Sequence, residues 1–142
     1  MPLMQDIVLG DMGTGTSINR TFKPYNREIG GKAEWRTDHL AARSANHRFT
    51  IEMKSSSGAK GSSKDDKIIV SLYVPTMETL GTADNGFLPP ATVKEVDWTR
   101  CELIFPRDAT PARRETVLTY LGQLLNKADV VDAVKNGNHF RG

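Results

Sequence analysis

Between Arg48 and Ser55 apolar and polar side chains alternate: Phe49, Ile51 and Met53 fall between Arg48, Thr50, Glu52 and Lys54. A period of two puts successive side chains on opposite faces of a strand. This stretch therefore has one apolar and one charged face, as in an antiparallel sheet with one side on a core and the other in water. Lys67 to Pro75 is rich in β-branched residues and reads as the returning strand, with Ile68, Val70, Leu72 and Val74 on the core face and Ile69, Ser71 and Tyr73 opposite. The polar run Ser56 to Ser63 makes the tip of this hairpin.

Upstream, Ile7 to Leu9 runs into the turn-forming cluster Gly10 to Gly15 and then Thr16-Ser17-Ile18, which predicts an N-terminal hairpin. The cluster resembles a phosphate-cradling glycine loop, but it lacks the Lys-Ser/Thr pair of a P-loop and opens no helix. A strand from Ala33 to Leu40 follows the Gly30-Gly31 break. Beyond a loop marked by Gly81, Asp84-Asn85-Gly86 and Pro89-Pro90, a last strand covers about Val93 to Phe105 and ends at Pro106.

The pattern then changes period. Thr110 is placed as an N-cap with Pro111 at the first helical position, and Val117, Leu118, Leu121, Leu124 and Leu125 form one stripe at three- and four-residue spacing. This helix should reach about Lys127, and a shorter one near Asp129 to Lys135, carrying Val130, Val131 and Val134, stops at Asn136-Gly137. Strands first and helices last is an α+β order: an N-terminal β-hairpin, an antiparallel meander and two C-terminal helices, in one domain over residues 1–142.

Composition adds exclusions. With 38% hydrophobic and 25% charged residues the chain is of ordinary globular type, and no stretch approaches the roughly 20 apolar residues of a membrane span. Met1 to Leu9 lack the basic start and long apolar run of an export signal. The single cysteine, Cys101, leaves no intramolecular disulfide, fits synthesis in a reducing cytosol and is expected in the core. The net charge of +2 is small but uneven: residues 20 to 60 hold nine Lys or Arg against four acids, and residues 61 to 110 hold five against eight. A basic stretch of this kind serves either as an ordinary solvated face or as a surface for phosphate. Two helices on a broad sheet also raise a packing question, because a core this small need not cover a whole sheet face within one monomer.

Several short strings, in their shared order, resemble the coat proteins of the small single-stranded RNA bacteriophages, the levivirus group. Val8-Leu9-Gly10-Asp11 with Gly13-Thr14-Gly15 is similar to their N-terminal hairpin, and Ala33-Glu34-Trp35 to the start of their third strand. Similarity continues through His47 to Lys54, Lys67 to Pro75, and Trp98 to Pro106 with Glu102-Leu103 in register, and on through both helices. The resemblance implies a non-enzymatic structural subunit without cofactor or metal. It implies a homodimer with a ten-stranded sheet covered by interlocked helices, which assembles into an icosahedral shell around single-stranded RNA. The expected location is the virion, after synthesis in the bacterial cytoplasm. It also implies that the loop Thr79 to Leu88 gathers around the symmetry axes, where no cysteine of this loop is available for a disulfide.

By the same resemblance, RNA meets the side of the central strands turned away from the helices: Arg48, Thr50, Glu52 and Lys54 in one row, Ile69 and Ser71 in the next, and Trp98, Arg100 and Glu102 in the last. The alternation puts these residues on the non-core face independently. Arg and Lys neutralise phosphate, and an exposed indole is a platform for an unpaired base. The chain departs from its relatives at Trp98, where one has a stacking tyrosine, at Arg100 for an asparagine, and at Ile69 for a threonine of the base pocket, so its cognate hairpin is expected to differ. Trp98 can alternatively bury a dimer or loop contact. Two other function classes remain: a dimeric cellular RNA- or DNA-binding regulator that does not assemble, and a metal-independent nuclease using His39 and His47 as acid and base. Against the nuclease, His139 lies near the end of the chain, no zinc-ligand spacing occurs, and Cys101 alternates toward the core.

Overall fold

The computed structural model describes residues 4–11, 17–27, 32–55, 65–78, 86 and 92–137. Six strands follow one another as an antiparallel meander whose spatial order equals the chain order: β1 (Ile7–Asp11), β2 (Ile18–Arg27), β3 (Lys32–Arg36), β4 (Arg48–Ser55), β5 (Asp65–Met77) and β6 (Val93–Pro106). Two helices close the chain, α1 (Pro111–Leu125) and α2 (Ala128–Asn136). This is the α+β order expected. The Ser56 to Ser63 tip, the Gly30-Gly31 break, His139 and, apart from Gly86, the Thr79 to Leu88 loop lie outside the described residues.

The core is aromatic and sits at the N-terminal end of the sheet. Phe22, Trp35 and Phe49 are buried on one face, with Trp35 stacked on Phe49 at 4.9 Å between ring centroids and Phe22 tilted against Phe49 at 5.1 Å. Met4, Ile7, Ala33, Ile51 and Leu72 pack around them, and Trp35 Nε1 donates to the Gln5 carbonyl at 3.0 Å, so the buried indole keeps its hydrogen bond. The first residues of the chain, not its helices, therefore cover this part of the sheet.

Three of the strand ends that differ from the sequence expectation have a local reason. The second hairpin strand runs on to Arg27, through Pro24. A bulge between Pro24 and Asn26 relaxes the ladder there, and bulges are where a strand tolerates proline. The third strand ends at Arg36 and not at Leu40, because side chains take over the backbone partners that a ladder would use. The Thr37 hydroxyl accepts from His47 N–H at 3.0 Å, and the Asn46 amide both accepts from Leu40 N–H at 3.0 Å and donates to the Leu40 carbonyl at 3.1 Å. The fifth strand continues past Pro75 to Met77; β4 begins at Arg48 opposite Tyr73, so beyond that point β5 has one ladder neighbour among the described residues and proline is accommodated.

Helix α1 begins as its caps require: Thr110 is extended, its hydroxyl accepts from Arg113 N–H, and Pro111 takes the first turn. Helix α2 carries Asp129 at its start and Lys135 at its end, both favourable to the helix dipole, and stops at Gly137 with φ of 66°. The helices attach to the sheet mainly through one polar latch. Arg114 pairs with Asp66 at 3.0 Å and lies over the Phe105 ring at 5.4 Å, while Ser55 also donates to Asp66. Hydrogen bonds from Arg114 and then Ser55 hold the Asp66 carboxyl below its ordinary pKa. No residue of either helix is buried, and Leu118, Leu124, Leu125 and Val134 are among the most exposed apolar side chains described. On the apolar face of the sheet Ile68, Val70, Leu72 and Val74 are only half-buried, and Cys101, opposite Val70, is likewise half-buried instead of enclosed in a core.

Candidate nucleic-acid interface

Cross-strand register decides which side chains share a face. Trp98 of β6 lies opposite Tyr73 of β5, Tyr73 opposite Arg48 of β4, and Arg48 opposite Arg36 of β3. The next row is Arg100, Ser71, Thr50 and Glu34; the next is Glu102, Ile69, Glu52 and Lys32; and the last is Ile104, Lys67 and Lys54. All nine residues singled out from the sequence fall in these four rows, on the face turned away from Phe49 and Trp35. None is left elsewhere.

Their exposure is not uniform. Trp98 is 67% exposed, whereas Thr50, Ser71 and Ile69 are each 7% exposed or less and form a small hydroxyl and apolar floor. This reverses the sequence expectation for β5, in which Ile68 and Val70 were to be buried and Ile69 open. Ile69 lies between Glu52 and Glu102 on the neighbouring strands, and the stems of long charged side chains can shield an apolar neighbour, whereas Ile68 and Val70 on the other face are half-buried. Lys67 pairs with Glu102 at 2.6 Å, and Lys54 with Glu52 at 3.1 Å; Arg100 also pairs with Glu102. The Lys67 hydrogen bond chiefly holds the Glu102 carboxyl below its ordinary pKa, so it stays ionised at neutral pH and tethers two cations.

Among the ladder-paired residues of β3 to β6, this face carries Lys32, Arg36, Arg48, Lys54, Lys67 and Arg100 against Glu34, Glu52, Asp65 and Glu102. The excess of two positive charges on this one face equals the +2 of the whole chain. Arg48 makes no ion pair among the described residues and rests on the Tyr73 ring, its guanidinium carbon 4.4 Å from the centroid. Stacking leaves the in-plane N–H donors of a guanidinium free for phosphate. The arrangement suits a polyanion bearing flat unpaired rings: cations for phosphate, an open indole for stacking, and hydroxyls at the floor for base edges.

Sequence reasoning missed Tyr73, Lys67 and Arg36. The alternation already put Tyr73 and Lys67 in phase with Ile69 and Ser71, but only the register sets them beside Trp98, Arg48 and Glu102. His39 and His47, the acid–base candidates, lie apart on the β3–β4 connection with rings in edge contact at 4.9 Å, and His39 Nδ1 is 2.9 Å from the Thr37 hydroxyl. Burial lowers the pKa of both. Cys101 is on the other face of the sheet. No group of three or more His, Cys, Asp or Glu among the described residues could hold a metal ion, and no described helix is long and apolar enough to cross a membrane.

A family model described as levivirus coat protein matches residues 2–140. The chain belongs to the levivirus coat protein family. That family is structural, and its members build capsids. Solved structures share the fold across the whole chain. The virus-like particle of bacteriophage ESE058 superposes with a TM-score of 0.87 at 22% identity, covering 99% of this chain and 100% of that one. The bacteriophage GA capsid protein gives 0.72 at 21% identity, covering 96% and 97%. An unassembled virus coat protein dimer, described as a bacteriophage RNA-binding dimer, gives 0.67 at 20% identity, covering 98% of each chain. A comparison with curated protein sequences finds no match. The coat-protein fold thus accounts for the meander, its hairpin and the helix pair, and the polar rows lie on its sheet.

Proposed function

We propose that this coat protein forms a homodimer through the β6 edge and the helix pair, assembles into an icosahedral virion shell, and holds single-stranded RNA, including a specific hairpin, against the polar sheet face. The observation that carries the dimer is the unfinished burial around β6. Among the described residues this 14-residue strand pairs only with β5, presents Val96 and Ile104 in the open on the polar face, leaves Cys101 and Leu103 half-buried on the other, and adjoins a helix pair with no buried residue. A long edge strand with apolar side chains is a template for pairing, and in a twofold dimer the same edge meets itself. Strands β2 to β6 of each chain would then make one sheet of ten, with β1 as a hairpin partner on β2 at each rim, and the exposed leucines of one chain would lie over the half-buried valines and isoleucines of the other. The RNA-binding dimer among the relatives of this fold supports the same reading, as does the excess of cations on the polar face.

Size-exclusion chromatography with light scattering on the purified chain tests this. A particle of megadalton mass with nucleic-acid absorbance is expected near neutral pH. A stable species of dimer mass alone, free of nucleic acid, overturns the shell reading and favours a regulator that does not assemble.

A further inference from the structure

The row Trp98, Tyr73, Arg48, Arg36 continues onto β2, where Lys23 lies opposite Arg36. One transverse line thus crosses five strands, about 19 Å at the usual strand spacing. The bulge after Pro24 adds Tyr25 to it: as the extra residue between two ladder pairs, Tyr25 has its ring under the Arg36 guanidinium at 3.9 Å and is 51% exposed. Bulges re-aim side chains in this way. Aromatic rings therefore stand at both ends of the line, with Tyr73 beside Trp98, each tyrosine carries a stacked arginine, and Arg48 at the centre has no competing carboxylate among the described residues. Arg36 and Lys23 are instead paired to Glu34 and Asp38.

We propose that this row is a track for single-stranded RNA running across the strands, on which Tyr73 and Tyr25 stack bases in addition to Trp98 while Arg48 holds the phosphate between them. The proposal rests on the polar face being the RNA face and extends it beyond a hairpin loop at Trp98. Interleaved cations and aromatic rings are the general means of holding a single strand without reading its sequence, and a span of this length takes about four nucleotides, the small end of such sites. An arginine stacked on each tyrosine does not block the track, since a base can take the exposed face of the guanidinium plane or replace it on the ring.

The test uses the full chain, kept unassembled, and a labelled unstructured RNA of ten nucleotides at fixed salt. Tyr25→Ala and Tyr73→Ala should each weaken binding about tenfold, Tyr25→Phe and Tyr73→Phe should bind as the unaltered chain, and ultraviolet cross-links should map to both tyrosines as well as Trp98. If both alanine variants bind normally while Trp98→Ala is weakened, the track is overturned and the RNA face stands. If Trp98→Ala and Arg48→Ala also bind normally, the RNA-face reading falls with it. Should an alanine variant fail to fold, the cross-link map of the unaltered chain decides, and absence of both tyrosines from it overturns the proposal.

Discussion

The two faces of the sheet solve the same problem in opposite ways. On the polar face, Ile69, Thr50 and Ser71 are buried within their own chain, amid charged side chains tied into pairs such as Lys67–Glu102 and Lys54–Glu52. On the apolar face the N-terminal residues cover Phe22, Trp35 and Phe49 and Arg114 lies over the buried Phe105, but the stretch from Ile68 to Val74 between them is half-open and neither helix has a buried residue. A face closed by exposed ion pairs gains little stability from them and can exchange them for another polyion. A face left apolar and open has a large free-energy gain still to make, so it calls for another protein surface.

The largest expected effect comes from spoiling the unfinished face. Leu121→Asp or Leu125→Asp sets a charge where the helix stripe is proposed to meet a partner, and should abolish soluble dimer and particle alike. If either variant assembles with unchanged thermal stability, the two faces do not differ as described. Next is the finished end of the same face. Phe49→Ala removes the ring that joins Phe22 to Trp35 and should cost about 3–5 kcal/mol in denaturant unfolding, whatever the state of assembly. A loss below about 1 kcal/mol would mean that this cluster, too, depends on a partner.

On the polar face the effects are smaller and concern ligand more than fold. Trp98→Ala should weaken binding of a hairpin selected from a random RNA pool by about tenfold or more, from a stack worth about 1–3 kcal/mol. Arg48→Ala should lower affinity for many RNAs alike and reduce the salt slope by about one unit. Titration against an assembly-deficient dimer separates recognition from packaging. Normal affinity in a dimeric Trp98→Ala would make Trp98 a packing residue.

The smallest effect is one of pH, away from both faces. Burial lowers the pKa of His39 and His47 below 6.5, with the charge of Arg20 adding to it and those of Asp11 and, for His39, Asp38 opposing it. The unfolded chain then binds more protons than the folded one, so their contribution is complete above pH 6.5, falls as pH drops below that value, and levels off beneath the folded pKa values. Between pH 7 and 5 the melting temperature should decline, and His39→Gln with His47→Gln should flatten the decline. Asp66 and Glu102, whose pKa values are lowered from already acidic ones, leave this window alone. An unchanged slope in the double variant would show that the histidines titrate as they do in the unfolded chain.

What could be read along the chain was whatever repeats with a fixed local period or needs only neighbours. Alternation over Arg48 to Ser55 sorted the faces of β4, the three- and four-residue spacing from Val117 to Leu125 marked the stripe of α1, and Thr110, Pro111 and Gly137 marked helix ends, because each depends on backbone geometry within a few residues. The ordered strings that resemble levivirus coat proteins carried the family. Tertiary structure alone decided the rest. Which residue of one strand faces which of the next is a long-range hydrogen-bonding choice, and it set Trp98 beside Tyr73 and Arg48 beside Arg36. A bulge swung Tyr25 onto that line, and the side chains of Thr37 and Asn46 ended β3 early. Ile69 was buried and Ile68 left half-open for the same reason: burial depends on what covers a face, and period two says only which side of the sheet a residue is on.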